Sequence, residues 1–451
     1  MSAPQVIVVG GGLAGISAAL ECAEAGARVS LFEARPRLGG ATWSTRRDGL
    51  DVDNGQHVFL RCCTAYRGFL RRLGVEHLVT LQPRLSIPVL APGAGAAWIR
   101  RRGLPAPAHL VESLLRYRHV PFADRVRIAR TARRLGRLDL QDPATDERRL
   151  GEWLAAQGES EAAIDAFWDL LVRPTLNAPA AEASLSLAAF VFREGLLGAA
   201  DAGDVGYAKV PLDRVHAEPA AAALQRLGVA VHTRAPIAAI EALAGGAPAV
   251  RAGGARLAAD AVILAADHEA AAGLLPEGAG VDGGALARLG RSPILNLHVV
   301  FDREVLPWPF AVGVRSPLQW IFDRTRAAGL AQGQYLAVSL SAADAWLGRS
   351  REELASVFVP AFAELLPAAR GARVLRFFAT CERAATFAQG PGTARLRPGA
   401  TTAHPRVFLA GAWTATGWPA TMEGAVRSGV AAARAALAAV GRASARPAEA
   451  A

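Results

Sequence analysis

Apolar and polar positions fall into two periods along this chain. Gln5-Val-Ile-Val-Val9 is a short β-branched run and predicts a buried parallel strand. Gly10 to Gly15 follows, then an alanine-rich helix to about Ala25 and a second strand, Arg28 to Phe32, ending on Glu33. The same alternation returns much later. A helix from about Leu212 to Leu227 leads into a strand at Gly228-Val-Ala-Val-His232, and Asp260 to Ala265 reads as another sheet strand. Near the far end, Arg406-Val-Phe-Leu-Ala410 is a strand stopping on Gly411, and a helix runs from the Gly417–Gly429 segment to about Val440. Strands and helices in this order predict an α/β fold whose sheet is assembled from distant parts of the chain. Between them, Ile128, Ala132 and Leu135 keep helical spacing with Leu138 at the edge, while Arg127, Arg130, Arg133, Arg134 and Arg137 fall on the opposite arc. No run of about 18 uncharged apolar residues occurs, so no spanning helix is expected. The apolar start is broken by glycines and lacks a basic leader, which excludes a signal peptide there.

Composition narrows the class. The 451 residues are 52% hydrophobic and 20% charged, too apolar for a disordered or fibrous chain, and the length suits two to three domains. Four cysteines, Cys22, Cys62, Cys63 and Cys381, have neither disulfide-framework density nor metal-ligand spacing. A reduced, cytoplasmic setting without a metal site is therefore expected. The formal charge is +10, and Lys209 is the only lysine. From Arg100 to Arg137 eleven arginines face two acids, Glu112 and Asp124, so this stretch holds +9 of the total. A basic amphipathic helix suits an anionic membrane surface, with its apolar side dipping into the lipid boundary. The competing expectation is a surface helix whose apolar stripe packs on its own domain. Nucleic acid is not an expected partner, because no aromatic stacking residues interleave with the arginines.

The candidate chemistry begins at the first turn. Gly10 allows the tight turn, Gly12 lets a pyrophosphate approach the backbone, and Gly15 lets the helix pack closely on the strand. Leu13 and Ala14 open that helix, whose N-terminus faces phosphate charge. Glu33, 23 positions after Gly10, is placed to accept hydrogen bonds from both ribose hydroxyls, which argues against a 2′-phosphate and leaves FAD or NAD. The continuation Glu33-Ala34-Arg35-Pro-Arg-Leu-Gly39-Gly40 resembles the flavin-dependent amine oxidase and phytoene desaturase superfamily. The resemblance implies FAD, with Arg35 on the pyrophosphate and Gly39-Gly40, followed by Ala41 and Thr42, beside the flavin. It also implies a second flavin motif at Gly411-Ala412 and at the helix start around Thr421 and Met422, and an adenine contact from the backbone of Val231. The implied fold is a Rossmann-type, amine oxidase-like FAD-binding domain (residues 1–85, 206–270 and 396–440). An α+β substrate domain (86–205 and 271–395) is inserted in it, and 441–451 form a flexible tail. Two positions depart from the superfamily pattern. Ala412 stands where a carboxylate holds the ribityl chain, and Ala41 stands where arginine is frequent. Both imply weaker cofactor retention.

Interior segments narrow the resemblance. Asn54-Gly-Gln-His-Val-Phe-Leu-Arg-Cys-Cys63, Asn296–Asp302, Gln319–Arg324 and Gly417-Trp-Pro-Ala-Thr-Met-Glu-Gly424 are together similar to the hydroxysqualene dehydroxylase family of hopanoid biosynthesis. That likeness implies an enzyme reducing hydroxysqualene to squalene with reduced FAD. It further implies a long isoprenoid substrate, an unidentified reductant, and peripheral binding to the inner face of the cell membrane through Arg100–Arg137. His57 is the candidate proton donor, being the side chain best matched to neutral pH, against the alternative of simple packing near the flavin. Cys62 and Cys63 are expected to pack and not to react. Trp98, Trp153, Trp168, Phe190, Phe192 and Trp320 suit either an apolar tunnel or an ordinary core. Two other functions fit the scaffold: an isoprenoid desaturase of carotenoid type, and a non-catalytic prenyl-binding protein.

Overall fold

The computed structural model describes residues 3–242 and 246–442. Most of the tail expected at 441–451 therefore lies outside the described residues. Five parallel strands form one sheet in the spatial order Ala230–His232, Arg28–Phe32, Gln5–Val9, Ala261–Leu264, Val407–Leu409. Val6, Val8, Leu31, Ile263 and Leu409 are buried, as a parallel sheet covered on both faces requires. Helices Leu13–Glu24 and Met422–Ala439 cross on one face of this sheet. The expected Leu212–Leu227 helix is broken at His216 into Leu212–Val215 and Ala217–Arg226. The His216 ring is fully buried, with Nε2 2.8 Å from the Tyr66 hydroxyl.

A second sheet of seven strands runs in the order Val374–Thr386, Ser292–Phe301, Gln334–Ser341, Trp320–Asp323, Phe310–Gly313, Ser86–Ala91, Gly95–Arg100. One apolar core joins part of this sheet to the helices between residues 111 and 197; it contains Trp153, Trp168, Phe192 and Trp320. On another part, Arg351–Leu365 adds a separate core around Phe358 and Phe362. That helix begins with a capping box, Ser350 accepting from the Glu353 N–H and Glu353 accepting from the Ser350 N–H.

The basic helix forms over Phe122–Leu135, with Asp124 in its first turn and Arg133 and Arg134 in its last, as the helix dipole favours. Its apolar stripe does not face outward. Ile128 and Leu135 are fully buried and belong to the core beneath, with Ala132 and Leu138 packed against it. The expectation that this stripe enters lipid is corrected by that packing, while Arg130, Arg133, Arg134 and Arg137 remain exposed on the opposite arc.

Candidate flavin and substrate site

The first turn is built around the phosphate-binding geometry. A Cβ at Gly15 would overlap the carbonyl oxygen of Gly10, so glycine is required for the helix to meet the strand end. Gly12 differs: a Cβ there would find no protein atom nearer than the Gly40 Cα at 3.7 Å. Among the described residues nothing fills the space that Gly12 leaves bare, and that space lies at the opening of the Leu13–Glu24 helix. The helix has Gly12 as its N-cap, no capping side chain and no acid in its first turn, although Leu13 and Ala14 are buried. Its free amides and dipole suit an anion. Gly39 donates to the Gly11 carbonyl at 2.9 Å and Thr42 donates through Oγ1 to the Gly39 carbonyl at 2.9 Å, so the glycine pair is tied to the first turn.

Glu33 is 7% exposed, and its two oxygens accept from the backbone N–H of Gly11 (2.6 Å) and Arg35 (2.7 Å). Each oxygen of an ionised carboxylate keeps a further lone pair for a diol. Val231 pairs with Leu31 on the neighbouring strand, and the Glu33 N–H donates to the His232 carbonyl at 2.8 Å. Beyond the strand, Arg234 and Ala235 bond the Arg35 and Glu33 carbonyls, so residues after Val231 also reach the acid. Ala34 and Arg35 are exposed at this end. The bare glycine turn, the uncapped helix and the carboxylate with spare acceptors together fit a dinucleotide such as FAD.

At the second motif the Gly411 N–H donates to Ser428 Oγ at 2.8 Å, and Thr421 caps the last helix through the Gly424 N–H at 3.2 Å, with Met422 half-buried as its first residue. Ala412 offers no carboxylate, and its carbonyl accepts from Arg397 instead. Arg397 also donates to the carbonyls of Trp413, Thr414 and Trp418. Burial pushes this guanidinium down to about 10, with Asp146 opposing, so it stays charged at neutral pH. A buried cation organises the loop where the superfamily pattern has an anion. Nothing in the sequence pattern distinguishes Arg397 from the chain's many other arginines. Glu423 completes this end: it accepts from the Ala65 and Tyr66 amides and pairs with Arg427, joining the last helix to the start of Thr64–Leu73.

Between the two sheets, the Asn54–His57 segment is held by a buried polar network. Asn54 donates to the Ala41 carbonyl (2.8 Å) and to Glu382 (3.1 Å), and Trp43 Nε1 reaches the same Glu382 oxygen at 3.0 Å. Asn296 donates to the Asn54 carbonyl at 2.7 Å, and Ser339 holds Asn296. Asp53 accepts from Arg324 at 2.8 Å, and Arg324 also donates to the Ala208 and Val210 carbonyls. These bonds place Gln56 and His57 on a small cavity of mixed polarity, whose lining also includes Asp53, Asp323, Arg324, Leu212 and Phe322. Gln56 Nε2 has no hydrogen-bond partner among the described residues. Burial pushes His57 below its ordinary value near 6.5, opposed by the Asp53 and Glu382 carboxylates. Glu382, from the middle of an irregular strand, carries no motif and was not foreseen. Cys62 and Cys63 are unlinked thiols, and the Cys63 thiol is pushed well up by its bond with Cys62 and by burial, as inert packing requires. Trp418 stacks edge-on against Phe190 at 5.1 Å, with the Arg427 guanidinium over its ring.

This fold and turn chemistry define a flavoprotein of the amine oxidase class. The chain belongs to the flavin-containing amine oxidoreductase family, whose model matches residues 13–437, and FAD is its cofactor. The fold agrees with cyclohexylamine oxidase from Brevibacterium oxydans, at a TM-score of 0.71 and 21% identity over 96% of this chain and 99% of that one. Within the family the kinship is with hydroxysqualene dehydroxylases. Those of Rhodopseudomonas palustris (31% identical, 94% of this chain, 96% of that) and Sinorhizobium fredii (30%, 94% and 96%) match over nearly their full lengths.

The Gly411-Ala412 departure yields one prediction. Ala412→Asp is expected to tighten FAD binding by restoring a charge-assisted hydrogen bond worth about 1.5–3 kcal/mol. Flavin retention through dialysis measures it; unchanged or poorer retention would count against this placement of the second motif.

Proposed function

We propose that this chain reduces hydroxysqualene to squalene. The allylic C–O bond breaks, a C–H bond forms, and the hydroxyl leaves with a proton as water. Reduced FAD supplies the hydride, and an external donor restores its two electrons. The observation that carries this reading is the kinship with hydroxysqualene dehydroxylases along 94% of the chain. The site residues named above are proposed in the roles their positions suit: the first turn and Glu33 for pyrophosphate and ribose, Val231 for adenine, and the glycine pair and the Gly411–Met422 segment for the flavin.

His57 is proposed to deliver the proton. It lies on the cavity beside Gln56, whose free amide can donate to the substrate hydroxyl and orient it. Because burial depresses His57, only a minor fraction is protonated at neutral pH, and that fraction is a stronger acid than free histidine. We assign the parallel sheet and its helices to FAD binding and the seven-stranded sheet with its helices to the isoprenoid, with the boundaries given above. The chain is proposed to work at an anionic membrane surface on the cytoplasmic side, where a C30 hydrocarbon resides. No helix of the described residues is long and apolar enough to cross a membrane. Product analysis tests the activity: protein reduced without oxygen and given hydroxysqualene in detergent should yield squalene, whereas a more unsaturated product would point to a desaturase.

A further inference from the structure

Seven large hydrophobic side chains of the described residues are exposed, and four of them lie within 19 positions: Leu104 (52%), Val111 (50%), Leu115 (47%) and Phe122 (63%). Local bonds tie the segments that carry these four to one another. The loop carrying Leu104 folds back on the helix Val111–Leu115 through the Arg102 N–H and the His109 carbonyl (2.8 Å) and through the Arg102–Glu112 ion pair. Val111 and Leu115 are four apart and share a helix face. Arg125 then bonds the carbonyls of Leu115 and Val120, fixing the start of the next helix, where Phe122 is the first residue. The exposed charge on these segments that lacks an opposite partner is basic. Glu112 is occupied by Arg102 and Arg116, and Asp124 by Arg127 and Ser160. Arg118, Arg130, Arg133 and Arg137 have no acidic partner among the described residues and are exposed.

We propose that Leu104, Val111, Leu115 and Phe122 form a membrane-insertion patch. On this account they enter the acyl boundary of an anionic bilayer, while the neighbouring arginines contact its headgroups. The buried stripe of Phe122–Leu135 contributes support from beneath, not insertion. An anionic lipid is the occupant that charge favours, because an apolar group on segments this rich in unpaired arginine repels a second copy of itself. The location on the membrane rests on the isoprenoid reading; the identity of the inserting residues rests on their exposure alone.

The test compares the FAD-loaded wild type with a variant carrying Leu104→Ser, Val111→Ser, Leu115→Ser and Phe122→Ser. Cosedimentation is measured with vesicles of phosphatidylcholine alone and with added phosphatidylglycerol. Wild type should bind the anionic vesicles and lose binding with salt; the variant should bind roughly a hundred-fold more weakly at any salt. A second variant, Phe122→Ser alone, guards against misfolding, and should weaken binding while keeping the flavin spectrum and melting temperature. Equal binding of wild type and the fourfold variant would overturn the proposal. So would wild type that ignores anionic vesicles, including a result in which it self-associates through the patch instead. Squalene formation in detergent is scored separately: if it fails while patch-dependent binding holds, the substrate reading falls and the insertion patch stands.

Discussion

Glu33→Ala is expected to release FAD while the parallel sheet stays folded. The carboxylate is almost fully buried at a strand end and is positioned by two backbone amides, so it needs no rearrangement to receive a ribose. Two charge-assisted hydrogen bonds to the diol are worth about 3–6 kcal/mol together, or roughly 10²–10⁴ in Kd. Losing the side chain also leaves the Gly11 and Arg35 amides without their acceptor, which costs about 1–3 kcal/mol locally where water does not replace it. That is small beside the core formed by Val6, Val8, Leu31 and Ile263. Flavin absorbance of the purified variant, read beside its circular dichroism, checks the claim. Full flavin content would show that Glu33 does not hold the ribose, and an unfolded variant would show that its structural bonds matter more than its ligand.

The second large effect is expected at His57. If its proton reaches the leaving oxygen, His57→Gln should lower kcat by about 10²–10⁴, the range for general-acid catalysis. Flavin content should not change. The sign of the pH dependence follows from the direction of the shift. Burial lowers the imidazole below 6.5, so the protonated fraction falls as pH rises through and above that lowered value. The chemical step in the wild type should therefore speed up as pH is reduced from 8 toward 6, and the glutamine variant should lose that slope. A variant with wild-type kcat, or with the same pH slope, would remove His57 from the chemistry and leave it as a packing residue.

Local rules made the parallel sheet and its turns readable. The glycines of the first turn, Glu33 at the strand end and the strand before Gly411 each obey a constraint acting within a few residues. Strands Gln5–Val9 and Arg28–Phe32 form over the residues their patterns predict. The polar network around Asn54 and His57 was less legible, because its contacts join distant segments. Glu382 meets Asn54 and Trp43 across more than 300 residues, and Arg324 meets Asp53 across 271. No spacing in a single sequence marks such partners. Arg397 was hidden for another reason: its partners are carbonyls, which every residue carries. The basic helix shows the opposite failure. Its period is legible in the sequence, but periodicity reveals only that a face is apolar, not whether protein or lipid covers it. The exposed apolar residues upstream lacked a long enough helical pattern to stand out, since Val111–Leu115 is a single turn and more.

The central claim is that this flavoprotein spends its reducing equivalents on an allylic alcohol. Stopped-flow oxidation tests it most directly: the FAD-loaded protein is reduced without oxygen and mixed with hydroxysqualene in detergent. The oxidised flavin spectrum should return with one squalene formed per flavin oxidised, and should not return when squalene is added instead. A flavin that stays reduced in the presence of hydroxysqualene, or an oxidised flavin that is reduced by squalene, would contradict it.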